Sequence, residues 1–159
     1  MLEKYNKLTD SKVFKEWKEN NKKDYLCSYV LVNDIPQFDF YNPKTDKITS
    51  FIINKEIEIK KEQNIFKKSK DKIYELKLDR VKITIKKAEE IINNLEKYKK
   101  ENFNKKIIIL QSKKDPLWNI SLITNSLNIL NIRIDATNGE IISETFESLL
   151  NLKVDENNN

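Results

Sequence analysis

Residues 129–146 read Ile-Leu-Asn-Ile-Arg-Ile-Asp-Ala-Thr-Asn-Gly-Glu-Ile-Ile-Ser-Glu-Thr-Phe. Asn131-Ile132-Arg133-Ile134 alternates polar with apolar, the two-residue period of a half-buried strand. Asn138-Gly139 then stands where the chain must reverse. Gly takes positive φ freely and Asn tolerates it, so the pair predicts a two-residue type I′ hairpin turn. Residues 140–146 are its return strand. Asp135, at the end of the first strand, is placed to accept backbone N–H groups across the turn. This stretch commits the second half of the chain to antiparallel sheet.

Working back toward the N-terminus, residues 117–123 and 106–111 read as further strands. Between them lies the turn Lys113-Lys114-Asp115-Pro116. Ahead of these comes a helical stripe, Ile85, Ala88, Ile91, Ile92, Leu95 and Tyr98, with Thr84 as cap and Asn102 and Asn104 as stop. Its predicted span is about 85–101.

The first half follows a similar plan. Thr9, Asp10 or Ser11 caps a helix whose apolar face is Val13, Phe14 and Trp17. Leu2, Tyr5 and Leu8 extend that spacing toward the start. Strands are predicted over 25–32, 37–41 and 47–53, with Asn33-Asp34-Ile35-Pro36 and Asn42-Pro43-Lys44-Thr45-Asp46 as turns. Residues 56–79 are highly charged, anchored by Ile57, Ile59, Ile65, Phe66, Ile73, Leu76 and Leu78. They read as connecting structure with a short helix near Ile73. The tail 155–159 is expected to be disordered.

Pro36-Gln37-Phe38-Asp39-Phe40 matches Pro116-Leu117-Trp118-Asn119-Ile120 between the halves. The similarity is short, and shared hairpin chemistry alone is enough to produce it. The expected fold class is α+β: antiparallel sheet packed against amphipathic helices, organised as a tandem pseudo-repeat. The halves run 1–80 and 81–154, followed by the tail 155–159.

Trp118-Asn119-Ile120-Ser121-Leu122 and Leu130 to Ile142, with its Asp135-Ala136-Thr137-Asn138-Gly139 core, resemble the end of a PepSY domain. The resemblance covers about 84–150 and departs at Asn138, where the family usually has Thr. Tyr41 to Thr49 is similar to the stand-alone archaeal proteins of that family. The resemblance implies a cystatin-like curled sheet over helices, arranged as two such modules. It also implies an inhibitory or ligand-binding appendage, often outside the cytoplasm.

Composition narrows the chemistry. The chain has no His, one Cys and one Gly. That removes the usual near-neutral general base, the Ser and Cys triads, most zinc sites and any Gly-rich phosphate loop. No catalytic, cofactor-binding or metal-ligating residue is therefore assigned. Cys27, among apolar neighbours, reads as a small core residue. Asp39, Asp46 and Asp135 read as turn and hairpin carboxylates.

Net charge is +5, from 30 basic and 25 acidic residues. Only Arg80 and Arg133 are Arg, and the Lys pairs are scattered among acids, which favours a solvated surface over a nucleic-acid stripe. The abundance of Lys, Asn and Ile reads as genome bias and carries no functional weight. Cysteine usage and the absence of an apolar leader or bilayer-length span lead to the expectation of a cytoplasmic protein without membrane contact.

The expected function is a non-enzymatic binding or regulatory module. It contacts a protein partner through a sheet face or edge, with Phe38, Phe40, Tyr41 and Trp118 as the contact surface. The alternative is an RNA- or ribosome-associated factor using a Lys-rich surface, its nucleic-acid binding weak. A carboxylate hydrolase ranks below both.

Overall fold

The computed structural model describes residues 1–64 and 72–150. Two compact units divide them: Met1–Lys77 with Gln111–Lys114, and Leu78–Leu110 with the residues from Asp115 onward. Of the described residues, 46% are strand and 23% helix. The fold is thus mostly β, and the α+β, cystatin-like packing expected from the sequence is corrected.

Two local features shift the balance. The charged run after residue 56, read as connecting structure, forms the strand Ile57–Asn64. The helix predicted over 85–101 ends at Asn93. Asn94 caps it, Leu95 turns to extended backbone (φ −76, ψ 97), and only the 3-10 turn Glu96–Tyr98 follows. Residues 72–77 form no helix. Ile65, Phe66 and the tail 155–159 lie outside the described residues.

In the first unit, α1 (Leu2–Asp10) and α2 (Lys12–Asn20) precede strands β1 (Tyr25–Val32), β2 (Ile35–Asn42), β3 (Lys47–Ile53) and β4 (Ile57–Asn64). Ser11 separates the helices. Its backbone is extended (ψ 146), and its hydroxyl accepts the Phe14 N–H at 3.2 Å, an N-cap bond. The strands lie in the order β4-β3-β2-β1, with each consecutive pair antiparallel. Register sets Leu26, Phe38, Phe40 and Phe51 toward the helices, where Phe14 and Trp17 meet Phe40 and Phe51 with ring centroids 5.0–5.4 Å apart. Each tilted or edge-on pair adds about 0.5–1.5 kcal/mol beyond its buried area.

The second unit places α3 (Ile85–Asn93) ahead of β5 (Phe103–Ser112), β6 (Pro116–Thr124), β7 (Asn128–Asp135) and β8 (Ile141–Ser148). These lie in the order β5-β6-β7-β8, so β8 is outermost. Trp118, Ile120, Leu130, Ile132 and Ile134 fill the interior with Ala88 and Ile92 of α3. Trp118 Nε1 donates to the Ile83 carbonyl at 2.8 Å, so the indole is buried with its one donor satisfied.

The turns differ from the sequence expectation. At Asn138-Gly139 only Gly139 has positive φ (+87). Gly139 N–H reaches back to the Asp135 carbonyl at 2.9 Å, and Asp135 N–H donates to the Glu140 carbonyl at 2.8 Å. This is a longer loop, not a type I′ pair. The two-residue turn with both central residues at positive φ is Asn33-Asp34 (49° and 62°), which pairs Val32 with Ile35. Ile35 and Pro36, read as turn residues, already belong to β2.

Candidate functional site

The four aromatic residues expected to form a contact surface are all buried: Phe38 0%, Phe40 3%, Tyr41 9% and Trp118 1% exposed. Phe38 and Phe40 lie under the helices, with Tyr5 and Phe14 against them. Neighbours on a strand do alternate faces, yet Tyr41 gains no exposure from that. Its ring meets Tyr25 edge-on at 5.4 Å, and its hydroxyl donates to Asp46 Oδ1 at 2.7 Å. That bond, with burial, pushes the phenol up to about 12. The surface is therefore elsewhere.

On the face of the first unit's sheet opposite its helices, Asp39 collects a hydrogen-bond cluster. Ser28 Oγ donates to Oδ2 at 2.7 Å, while Gln37 Nε2 (2.7 Å) and Ser50 Oγ (2.6 Å) donate to Oδ1. The Gln63 side-chain amide lies 2.8 Å from the same Ser50 hydroxyl. Asp39 and Ser50 are buried, at 6% and 2% exposure. The second unit repeats the device in neutral form at the matching position. Asn131 Nδ2 donates to Asn119 Oδ1 at 3.0 Å and to Ser121 Oγ at 2.8 Å. In both units these side chains bind one another, which makes the clusters structural.

Cys27 is buried, its thiol 3.3 Å from the Asp39 carbonyl, and burial pushes it up to about 12. A thiol so protonated is no nucleophile. Asp135 accepts Thr137 N–H (2.7 Å) and hydroxyl (2.5 Å), and those bonds hold its carboxyl below the usual range. Among the described residues no three of Cys, Asp and Glu converge as metal ligands would. A cleft of about 270 Å³ opens between α3, β5 and β6, but its Glu89 is tied to Lys106 and its floor is Ile92, Ile120 and Leu122.

The exposed apolar side chains gather at β8. Ile141 (38%), Ile142 (57%) and Phe146 (38%) lie on this outermost strand, with Leu150 (61%) just beyond it. Register places Ile141, Glu144 and Phe146 opposite Ile134, Ile132 and Leu130, all fully buried, so these three side chains share the α3 face. Ile142 is the extra residue of a bulge. Tyr98 stacks on Phe146 at 5.4 Å and donates to Glu144, which also pairs with Lys97 at 2.5 Å. The return strand was legible in the sequence as strand, but its outermost place was not. Residues 141–148 show no clean apolar alternation, and that absence was the available signal.

No family model matches the chain, and no curated protein matches it. The PepSY resemblance thus finds no support. A solved structure described as a "putative lipoprotein" from Clostridium difficile 630 is similar in fold. The TM-score is 0.57 at 16% identity, covering 85% of this chain and 90% of that one. Identity at that level speaks to the fold alone. The expected cytoplasmic placement gains nothing from such a neighbour and is withdrawn. Among the described residues no helix is long and apolar enough to cross a membrane.

Proposed function

We propose that this chain is a non-catalytic binding module that engages a protein partner along β8, the outer edge of its second unit's sheet. The observation that carries the reading is the set of exposed apolar side chains on an outermost strand. An edge strand offers a row of main-chain donors and acceptors, and native proteins usually blunt such edges with charge, Lys above all. The outermost strand of the first unit, β4, follows that rule with Glu58, Lys60, Lys61 and Glu62. In β8 there is no Lys or Arg, and apolar side chains stand in their place. Added-strand recognition uses such an edge, with main-chain bonds supplying affinity and alternate side chains supplying specificity.

Hydrogen–deuterium exchange on the protein with a captured partner tests the reading. Protection concentrated in 141–148 is the expected footprint. Protection confined to other segments, or substrate turnover by the isolated chain, overturns it.

A further inference from the structure

Resting on the reading of β8 as a docking edge, we infer that its partner is an extended segment alternating apolar with basic residues, and not a second copy of this chain. The two faces of β8 differ in chemistry. On the α3 face Ile141 and Phe146 are exposed apolar groups, and Tyr98 holds the Phe146 ring in place. The one acid on that face, Glu144, is largely buried and already matched by Lys97 and Tyr98. It asks for no further cation.

On the opposite face, register sets Glu147 beside Ile129 and Thr145 beside Asn131. Glu147 is exposed and is the acid that β8 presents to solvent on that side. A strand laid beside β8 keeps the two-residue period, so every second side chain joins the α3 face and the rest join Glu147. Apolar residues on the first set and Lys or Arg on the second satisfy both faces. Opposite charges directly across a pair of strands stabilise it, and like charges do the reverse. A two-fold pairing of β8 with β8 sets the acids of one copy against the same acids of the other. Charge therefore selects a basic segment over self-association.

Three eight-residue peptides test this on the full chain: one alternating Val with Lys, one alternating Val with Glu, and one alternating Ser with Lys. Affinity comes from fluorescence anisotropy and location from amide chemical shifts. The Val–Lys peptide is expected to move the amides of 141–148 and to bind about tenfold tighter than the Val–Glu peptide at low salt. Ser–Lys is expected to bind weakly, and Glu147→Lys to reverse the preference. Ile141→Ser weakens both Val peptides, and thermal melts confirm that each variant is folded. Equal binding of Val–Lys and Val–Glu at 141–148 overturns the charge inference and leaves the docking edge standing. Peptides that bind while leaving 141–148 unmoved, or no binding by any of them, overturn both. Concentration-dependent dimerisation blocked by Ile141→Ser overturns the choice of partner.

Discussion

Asp39 shows how much a single buried carboxylate organises. Ser28, Gln37 and Ser50 all donate to it from neighbouring positions on β1, β2 and β3. Removing the acceptor leaves several buried donors unmatched, each costing about 1–3 kcal/mol. Asp39→Ala is therefore expected to destabilise the protein by about 2–4 kcal/mol in urea unfolding. Asp39→Asn should cost less, because serine hydroxyls rotate to accept from the new amide, as the Asn119 cluster already arranges. An Ala variant as stable as wild type removes the network from the account. Cys27 gives a second test at this scale. With its thiol raised to about 12, it should stay unmodified by a disulfide reagent at pH 8 while the protein is folded and react at once in denaturant. Rapid native labelling contradicts the burial described. Gly139 is a third. A Cβ there sits 3.3 Å from Ile91 Cδ1 and 3.4 Å from Ile83 Cδ1, on a backbone at φ +87. Gly139→Ala is expected to cost about 1–3 kcal/mol in the same unfolding experiment, chiefly as left-handed strain. A neutral result means the loop moves to relieve it.

At the scale of elements, local chemistry made most of the fold legible. The limits of β1 and β3 follow from apolar runs bounded by turn residues, and Ser11 was among the caps the spacing allowed. What escaped notice needed partners to exist. β4 carries charge on nearly every residue, so neither face shows a period, and only pairing with β3 makes it a strand. The α3 stripe ran on through Leu95 and Tyr98, but the chain broke at Asn94 and sent Tyr98 to β8 instead. The contact surface was misread because aromatics were weighed by type, and in this chain aromatics fill the first unit's core. The Tyr98–Glu144–Lys97 contact ties the 3-10 turn to β8 and predicts a two-sided pH response. Lys97, then Tyr98, holds the Glu144 carboxyl below its ordinary value of 4.5, so its contribution is full above that value and fades as pH falls further. Burial, then the bond to Glu144, raises Tyr98 from 10.0 to about 12, so its contribution is full below 10 and fades above. Glu144→Gln should flatten the acid limb of a stability–pH curve. An unchanged slope below pH 4.5 means the pair adds nothing.

For the whole molecule, the two units share one plan, helix first and then four strands in sequential antiparallel order. Each buries the face its helices cover and leaves hydrogen-bonded polar side chains on the other. What varies over such a scaffold is charge, and its distribution decides between protein and nucleic-acid partners. The net charge of +5 is small against 30 basic residues. Lysines stand beside acids: Lys12 with Glu16, Lys60 with Glu58, Lys87 with Glu90, Lys99 with Glu96 and Lys106 with Glu89. Of the two arginines, Arg80 pairs with Asp115, while Arg133 is exposed on β7. Tight RNA binding needs several phosphates neutralised at once, and each released counterion steepens the loss of affinity with salt. A surface of interleaved charges supplies few such contacts, and Arg forks for base edges are nearly absent. Filter binding to single-stranded and hairpin RNAs should therefore show weak retention at low salt, without sequence preference. Raising salt to about 0.15 M, where the Debye length is about 8 Å, should abolish it. Binding that survives that salt requires a contiguous basic face, and would move the partner of this fold from protein to RNA.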